Sequence, residues 1–138
     1  MAMKKALFIV LAFVLTAFAA RSAAAQNKGE YDVFVPIAKY LKAGDAEKLS
    51  AWFAENLEVS ISSSANDVSR NQAKQIVKSF FDSHTPREFE ITHKAGQGNM
   101  KYALGNLNAG GEVFGVTIFV SRKDNSYFIQ QLKIQKVD

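Results

Sequence analysis

Glu112-Val113-Phe114-Gly115-Val116-Thr117-Ile118-Phe119-Val120-Ser121 reads as the most apolar strand of the chain, and it decides the fold. Phe114, Val116, Ile118 and Val120 recur at every second position, the period of a strand with one face on a core. Asn108-Ala109-Gly110-Gly111 before it reads as a hairpin connection, and Arg122 to Ser126 turns again after it. Gly115, among β-branched and aromatic neighbours, is expected to mark a bulge or bend. Outward from this stretch, Lys101–Leu107 reads as a strand, and so does Tyr127–Gln135, with Phe128, Leu132 and Ile134 inward. Arg87–Lys94 alternates as well: Phe89, Ile91 and His93 share one side, Glu88, Glu90 and Thr92 the other. Gly96-Gln97-Gly98-Asn99 is a turn. Short connections make these four strands antiparallel neighbours.

Upstream the period changes to that of helices. Val33, Ile37, Tyr40 and Leu41 line one face of a helix near Val33–Lys42, with Pro36 in its first turn and Gly44 at its end. Asp45 caps a second helix, expected over Ala46–Asn56, whose stripe is Leu49, Trp52 and Phe53. Leu57 to Ser62 alternates as a half-buried strand, and the polar Ser63 to Val68 reads as loop. Ser69 and Gln72 have capping-box spacing and open a third helix with the stripe Ala73, Ile76, Val77, Phe80 and Phe81. Thr85-Pro86 stops it. The fold class is therefore α+β, in the order α-α-β-α-β-β-β-β, with a mainly antiparallel sheet laid on the N-terminal helices.

The first 25 residues have the three parts of a secretory signal. Lys4 and Lys5 precede an apolar run from Ala6 to Ala20, Arg21 and Ser22 break it, and Ala23-Ala24-Ala25 offers a cleavage site before Gln26. A run of about 15 residues is short for the ~20 of a membrane-spanning helix. Residues 1–25 are thus expected to be a signal peptide and 26–138 one domain, working in the periplasm or outside the cell without a membrane span. Cleavage would remove three of 17 basic residues and none of 13 acidic ones, leaving 14 against 13 and turning a net charge of +4 into +1. A near-neutral chain has no electrostatic grip on a phosphate backbone, which argues against nucleic acid. The chain has no cysteine, so disulfides, thiol nucleophiles and cysteine-based zinc sites are excluded. Packing must supply stability, and 11 phenylalanines suit that role.

Tyr40-Leu41-Lys42-Ala43-Gly44-Asp45-Ala46-Glu47-Lys48-Leu49-Ser50-Ala51-Trp52-Phe53, then Phe80-Phe81 and Phe89-Glu90-Ile91-Thr92-His93, resemble an exported bacterial family of unknown function. The element order is similar to that of the nuclear transport factor two-like superfamily, also called cystatin-like or ketosteroid-isomerase-like. That resemblance implies a strongly curved sheet wrapped around a helix as a cone. It does not imply an activity, because the superfamily hosts enzymes, binding modules and dimerisation modules alike.

An isomerase-like member would need a carboxylate aimed into the cone. Glu58, Glu88 and Glu90 alternate outward, Glu112 has inward parity but sits at a hairpin mouth, and Asp82 ends a helix. His93 is the ionisable group on an apolar strand face and the one weak candidate for proton chemistry; His84, at a helix end, suits the helix dipole. The two histidines do not make a metal-ligand pattern, and nothing calls for a cofactor. Gln130 interrupts an inward series and needs partners for its amide. With Tyr40, Trp52, His93 and Tyr102 it makes up the candidate pocket lining for a small apolar ligand. Leu107, Val113, Phe119, Tyr127 and Ile129 fall on the expected outer face and form a candidate partner surface. The expectation is a non-catalytic binding or assembly module, pairing with a second copy or an envelope protein through that face. The alternative is a small-molecule carrier or acid/base enzyme using the cone around His93.

Overall fold

Helix α1, Phe34–Ala43, begins the described part of the chain. The computed structural model describes residues 32–62 and 64–137, so the expected leader and the polar lead from Gln26 to Glu30 lie outside the described residues. Val33, Phe34, Ile37 and Leu41 are buried, and Gly44 closes the helix with φ 67°. The backbone N–H groups of Gly44 and Asp45 bond to the carbonyls of Leu41 and Tyr40 at 3.2 and 3.0 Å, which satisfies two otherwise open helix-end acceptors. A side chain at position 44 would be strained at that φ, and its Cβ would meet Pro86 Cδ at 2.9 Å.

Helix α2 is only Ala46–Ser50. Asp45 caps it, its carboxylate accepting from the Lys48 N–H at 3.0 Å. The expected continuation to Asn56 does not form. Trp52 N–H turns back to the Leu49 carbonyl at 2.9 Å, and the Trp52 carbonyl accepts from Ile129 N–H at 2.7 Å. Phe53 is fully buried and starts strand β1, Phe53–Ile61. The spacing of Leu49, Trp52 and Phe53 fits a helical stripe, but a long-range partner takes the chain into the sheet before the helix reaches Asn56.

Strand β2, Ser64–Ser69, pairs antiparallel with β1 where a loop was expected. Ser64 to Asp67 are exposed, so an edge strand of this kind carries no apolar alternation to betray it. Helix α3, Arg70–Ser83, then starts with the capping box of Ser69 and Gln72 and buries Ala73, Val77, Phe80 and Phe81. Strands β3, Pro86–Gln97, β4, Met100–Ala109, β5, Glu112–Lys123, and β6, Ser126–Lys136, complete the chain.

The six strands form one curved, mostly antiparallel sheet in the order β2-β1-β6-β5-β4-β3. Among the described residues only the β1–β6 pair is parallel. Helix α1 packs on β3 and β4, and α3 packs on α2 and β1. The inner face supplies Leu107, Phe114, Val116, Ile118, Val120, Leu132 and Ile134 to the core.

Four register shifts interrupt the ladders: at Pro86/Glu88, Ile91/His93, Phe119/Val120 and Phe53/Glu58. Gly115 is not one of them. It pairs regularly with Asn106 and Gln135, and a Cβ there would touch nothing closer than 3.7 Å. The tight glycine is Gly105, over which the Phe89 ring lies. A Cβ there would meet Glu90 O at 2.6 Å and Phe89 Cζ at 2.8 Å. Gly105→Ala should therefore destabilise the protein by about 1–3 kcal/mol through overpacking, whereas Gly115→Ala should be neutral or slightly stabilising. Denaturant unfolding of both variants checks this, and equal midpoints would contradict it.

Candidate functional site

The pocket residues expected from the sequence do not converge. Tyr40, on α1, and Trp52, after α2, are half-buried and pack against the core cluster. His93 is exposed and lies on the opposite face of the sheet from the helices. Thr92 is the extra residue of a bulge: Ile91 pairs with Gly105, but His93 pairs with Leu104. One inserted residue reverses the parity of everything after it, so His93 leaves the face of Phe89 and Ile91. Its ring centroid lies 5.8 Å from that of Tyr102, which also belongs to the outer face.

The partner-surface residues divide in the same way. Val113 is 43% exposed, and Phe119 is half-buried on the outer face beside Tyr102. Leu107, Tyr127 and Ile129 are instead buried on the inner face. Leu107 stands between Phe89 and Phe114 in the ladders. Its strand also carries Met100, Tyr102 and Leu104 on the other side, so apolar spacing alone does not choose a face for β4. In β6 the cause is a bulge: Ile129 pairs with Val120 and Gln131 with Phe119, leaving Gln130 as the extra residue. Tyr127 and Ile129 therefore share the inner face with Leu132 and Ile134, and Phe128, expected inward, joins the outer one.

What results is an outer-face patch across β4, β5 and β6. Tyr102 pairs with Phe119, and Met100 with Ser121, which pairs with Phe128. Among the described residues five large apolar side chains are exposed: Val35, Met100, Leu104, Val113 and Val137. The last four all lie on this outer face or continue its parity. A hollow of about 530 Å³ opens beside Met100, Tyr102 and Phe119, and a groove of about 400 Å³ runs past Leu104, Asn106, Gly115 and Thr117.

Aromatic rings pack against one another at the end of α3. Phe80 meets Phe114 edge-on, with ring centroids 5.0 Å apart. His84 stacks on Phe80 at 4.8 Å and stands edge-on to Phe114 at 5.3 Å. Its Nε2 lies 3.7 Å from Glu112 Oε1, and Glu112 Oε2 lies 3.0 Å from Lys136 Nζ. Ser83 Oγ stands 3.1 Å from His84 Nδ1 but also lies 3.1 Å from the Ser79 carbonyl, the geometry of a helix-end hydroxyl bonded to its own backbone. His84 and Glu112 remain about one-third exposed. The cluster joins residues from α3, β5 and β6, so only the folded chain brings it together; the hairpin-mouth position of Glu112 was its one sequence signal.

The family model for "Domain of unknown function (DUF4783)" matches residues 34–135. The chain belongs to the DUF4783 family. A DUF4783 family protein from Bacteroides uniformis superposes with a TM-score of 0.75 at 21% identity, covering 78% of this chain and 99% of that one. A second, from Bacteroides fragilis, gives 0.72 at 24% identity, covering 78% and 100%. A domain of unknown function with a cystatin-like fold from Nostoc punctiforme gives 0.62 at 13% identity, covering 76% of this chain and 73% of that one. These likenesses establish the nuclear transport factor two-like, cystatin-like fold. No curated protein matches the chain.

The ring contacts of His84 set it apart from His93. His84→Ala should lower stability by about 1 kcal/mol through lost aromatic contacts, while His93→Ala should leave the unfolding midpoint unchanged. Thermal unfolding of the two variants decides it, and a larger loss for His93→Ala than for His84→Ala would contradict it.

Proposed function

We propose that this DUF4783 chain is an exported, non-catalytic assembly module that pairs with a second copy through the outer face of its sheet. The observation that carries the reading is the concentration of exposed apolar side chains there: Met100, Leu104, Val113 and Val137, beside the half-buried Tyr102, Phe119 and Phe128. Exposed apolar side chains gathered on one face mark interaction sites, and aromatic anchors carry a large share of binding energy at interfaces. A second copy is the favoured occupant because the row crosses three consecutive antiparallel strands. Two such rows can stack about a two-fold axis, each filling the other's hollow. The inner face supports the same reading from the other side: the buried polar side chains among the described residues are Ser50 and Ser60, and the rings of Phe80 and Phe114 pack edge to face there.

Sedimentation equilibrium at micromolar concentration should show a dimer. Phe119→Arg should weaken it at least about tenfold, because pairing would then bury an unpartnered charge, with little change in the unfolding midpoint. A monomer at every concentration, a dimer indifferent to Phe119→Arg, or an envelope protein that displaces the second copy would each overturn the dimer. Export has its own check. Mass spectrometry of the chain recovered from the cell envelope should find Gln26 at its N-terminus, and an intact Met1 form in the cytoplasm would overturn that part.

A further inference from the structure

Strand β6 departs from both neighbours at one residue. Toward β5 the pairs step from Val120–Ile129 to Phe119–Gln131, and toward β1 from Phe53–Ile129 to Glu58–Gln131. Gln130 is skipped by both ladders. On the β1 side the chain takes five steps where β6 takes two, so Ala54 to Leu57 part from β6, while Asn56 and Leu57 keep their pairing with Ser69 and Val68 of β2. Bulges are over-represented beside functional sites, where they re-aim a side chain. Here the doubled irregularity opens a cleft of about 460 Å³ lined by Glu55, Asn56, Arg70, Asp124, Phe128 and Gln130, with Lys123 at the β5–β6 turn.

The chemistry of this lining is specific. Arg70 Nε donates to the Phe53 carbonyl at 3.1 Å. That bond tethers the guanidinium to the cleft wall and leaves its two terminal nitrogens to receive a planar anion in bidentate fashion. Lys123 adds a second cation. Glu55 and Asp124 add two acids, and none of these four charges pairs with another among the described residues. The Gln130 amide, half-buried, offers both a donor and an acceptor, and Phe128 offers an apolar ring. A simple anion such as phosphate would be repelled by the two carboxylates. A neutral sugar would leave all four charges unused.

We propose that this cleft binds a zwitterionic dipeptide. Its C-terminal carboxylate meets Arg70 and Lys123, and its ammonium meets Glu55 and Asp124. Its peptide bond meets the Gln130 amide, and an apolar side chain lies on Phe128. The volume falls within the range of small-ligand sites, roughly 300–1,000 Å³. The site lies at the end of the sheet near the β5–β6 turn; it shares Phe128 with the dimer face proposed above, and its charged and amide groups lie outside that face.

The test is NMR titration of the ¹⁵N-labelled full chain with alanyl-leucine, its N-acetyl form, its C-terminal amide, and inorganic phosphate. The dipeptide should shift the Gln130 side-chain amide and the Glu55 and Asn56 backbone amides saturably, with a Kd of about 1 mM or below. Blocking either terminus should weaken binding about tenfold, as expected for a lost charge-assisted hydrogen bond. Gln130→Leu and Asp124→Asn should each weaken it while leaving the remaining spectrum intact; Asp124→Asn keeps a side chain that tolerates the φ of 62° at that turn. The same titration on Phe119→Arg should give the same shifts, which separates failure of this site from failure of the dimer. Absence of saturation, equal affinity for the blocked forms, or a response to phosphate alone would each overturn the proposal.

Discussion

The structure depends on burying one face of a six-stranded sheet beneath α1, α2 and α3. A regular sheet does not curl around helices; it coils where ladders are broken by bulges and where glycine lets backbones close up. Each requirement has a location here. The bulge at Thr92 bends the end of β3, and Gly105, opposite Ile91, lets the Phe89 ring lie against the strand. The bulge at Gln130 bends β6. The same inserted residues that curve the sheet also exchange its faces, so curvature and the placement of chemistry are one event.

That exchange explains why the interior is apolar and why His93 and Gln130 lie outside it. Inside, Phe53, Leu107, Ile118, Ile129 and Leu132 are fully buried, and Phe80 and Phe114 pack edge to face. His93 and Gln130, two polar residues that a regular alternation would send inward, each follow or form a bulge and are turned away. The histidine that does touch the core is His84, stacked on Phe80 and edge-on to Phe114, with its Nε2 toward Glu112. A packed interior of this kind stabilises a domain that has no cysteine to cross-link.

The outer face carries what the interior excludes. Strands β4 and β5 are apolar on both sides, which a sheet with one solvated face does not require. Tyr102, Phe119 and Phe128 form a row on the outer side of the central strands, and the polar cleft at Gln130 adjoins it through Phe128. The aromatic row and the polar cleft thus meet at Phe128, where the bulge of β6 sets the faces of the strand.

Local chemistry made much of the architecture legible in the sequence alone. The capping box at Ser69, the cap at Asp45 and the terminal Gly44 are read directly because helix ends have a short list of chemical solutions. The late strands are read because half-buried strands alternate. Alternation, however, reports a face only until a residue is inserted. Neither bulge has a composition signal, so the positions of His93, Tyr127 and Ile129 followed from pairing across the sheet rather than from spacing within a strand. The early end of α2 and the polar strand β2 were decided likewise, by Ile129 capturing the Trp52 carbonyl and by β1 offering its edge. Nearest-neighbour preferences fix most helices and strands; where α2 ends, whether 64–69 pairs as a strand, which face a residue occupies and which distant residue it meets depend on hydrogen bonds that exist only when the sheet has closed around its core.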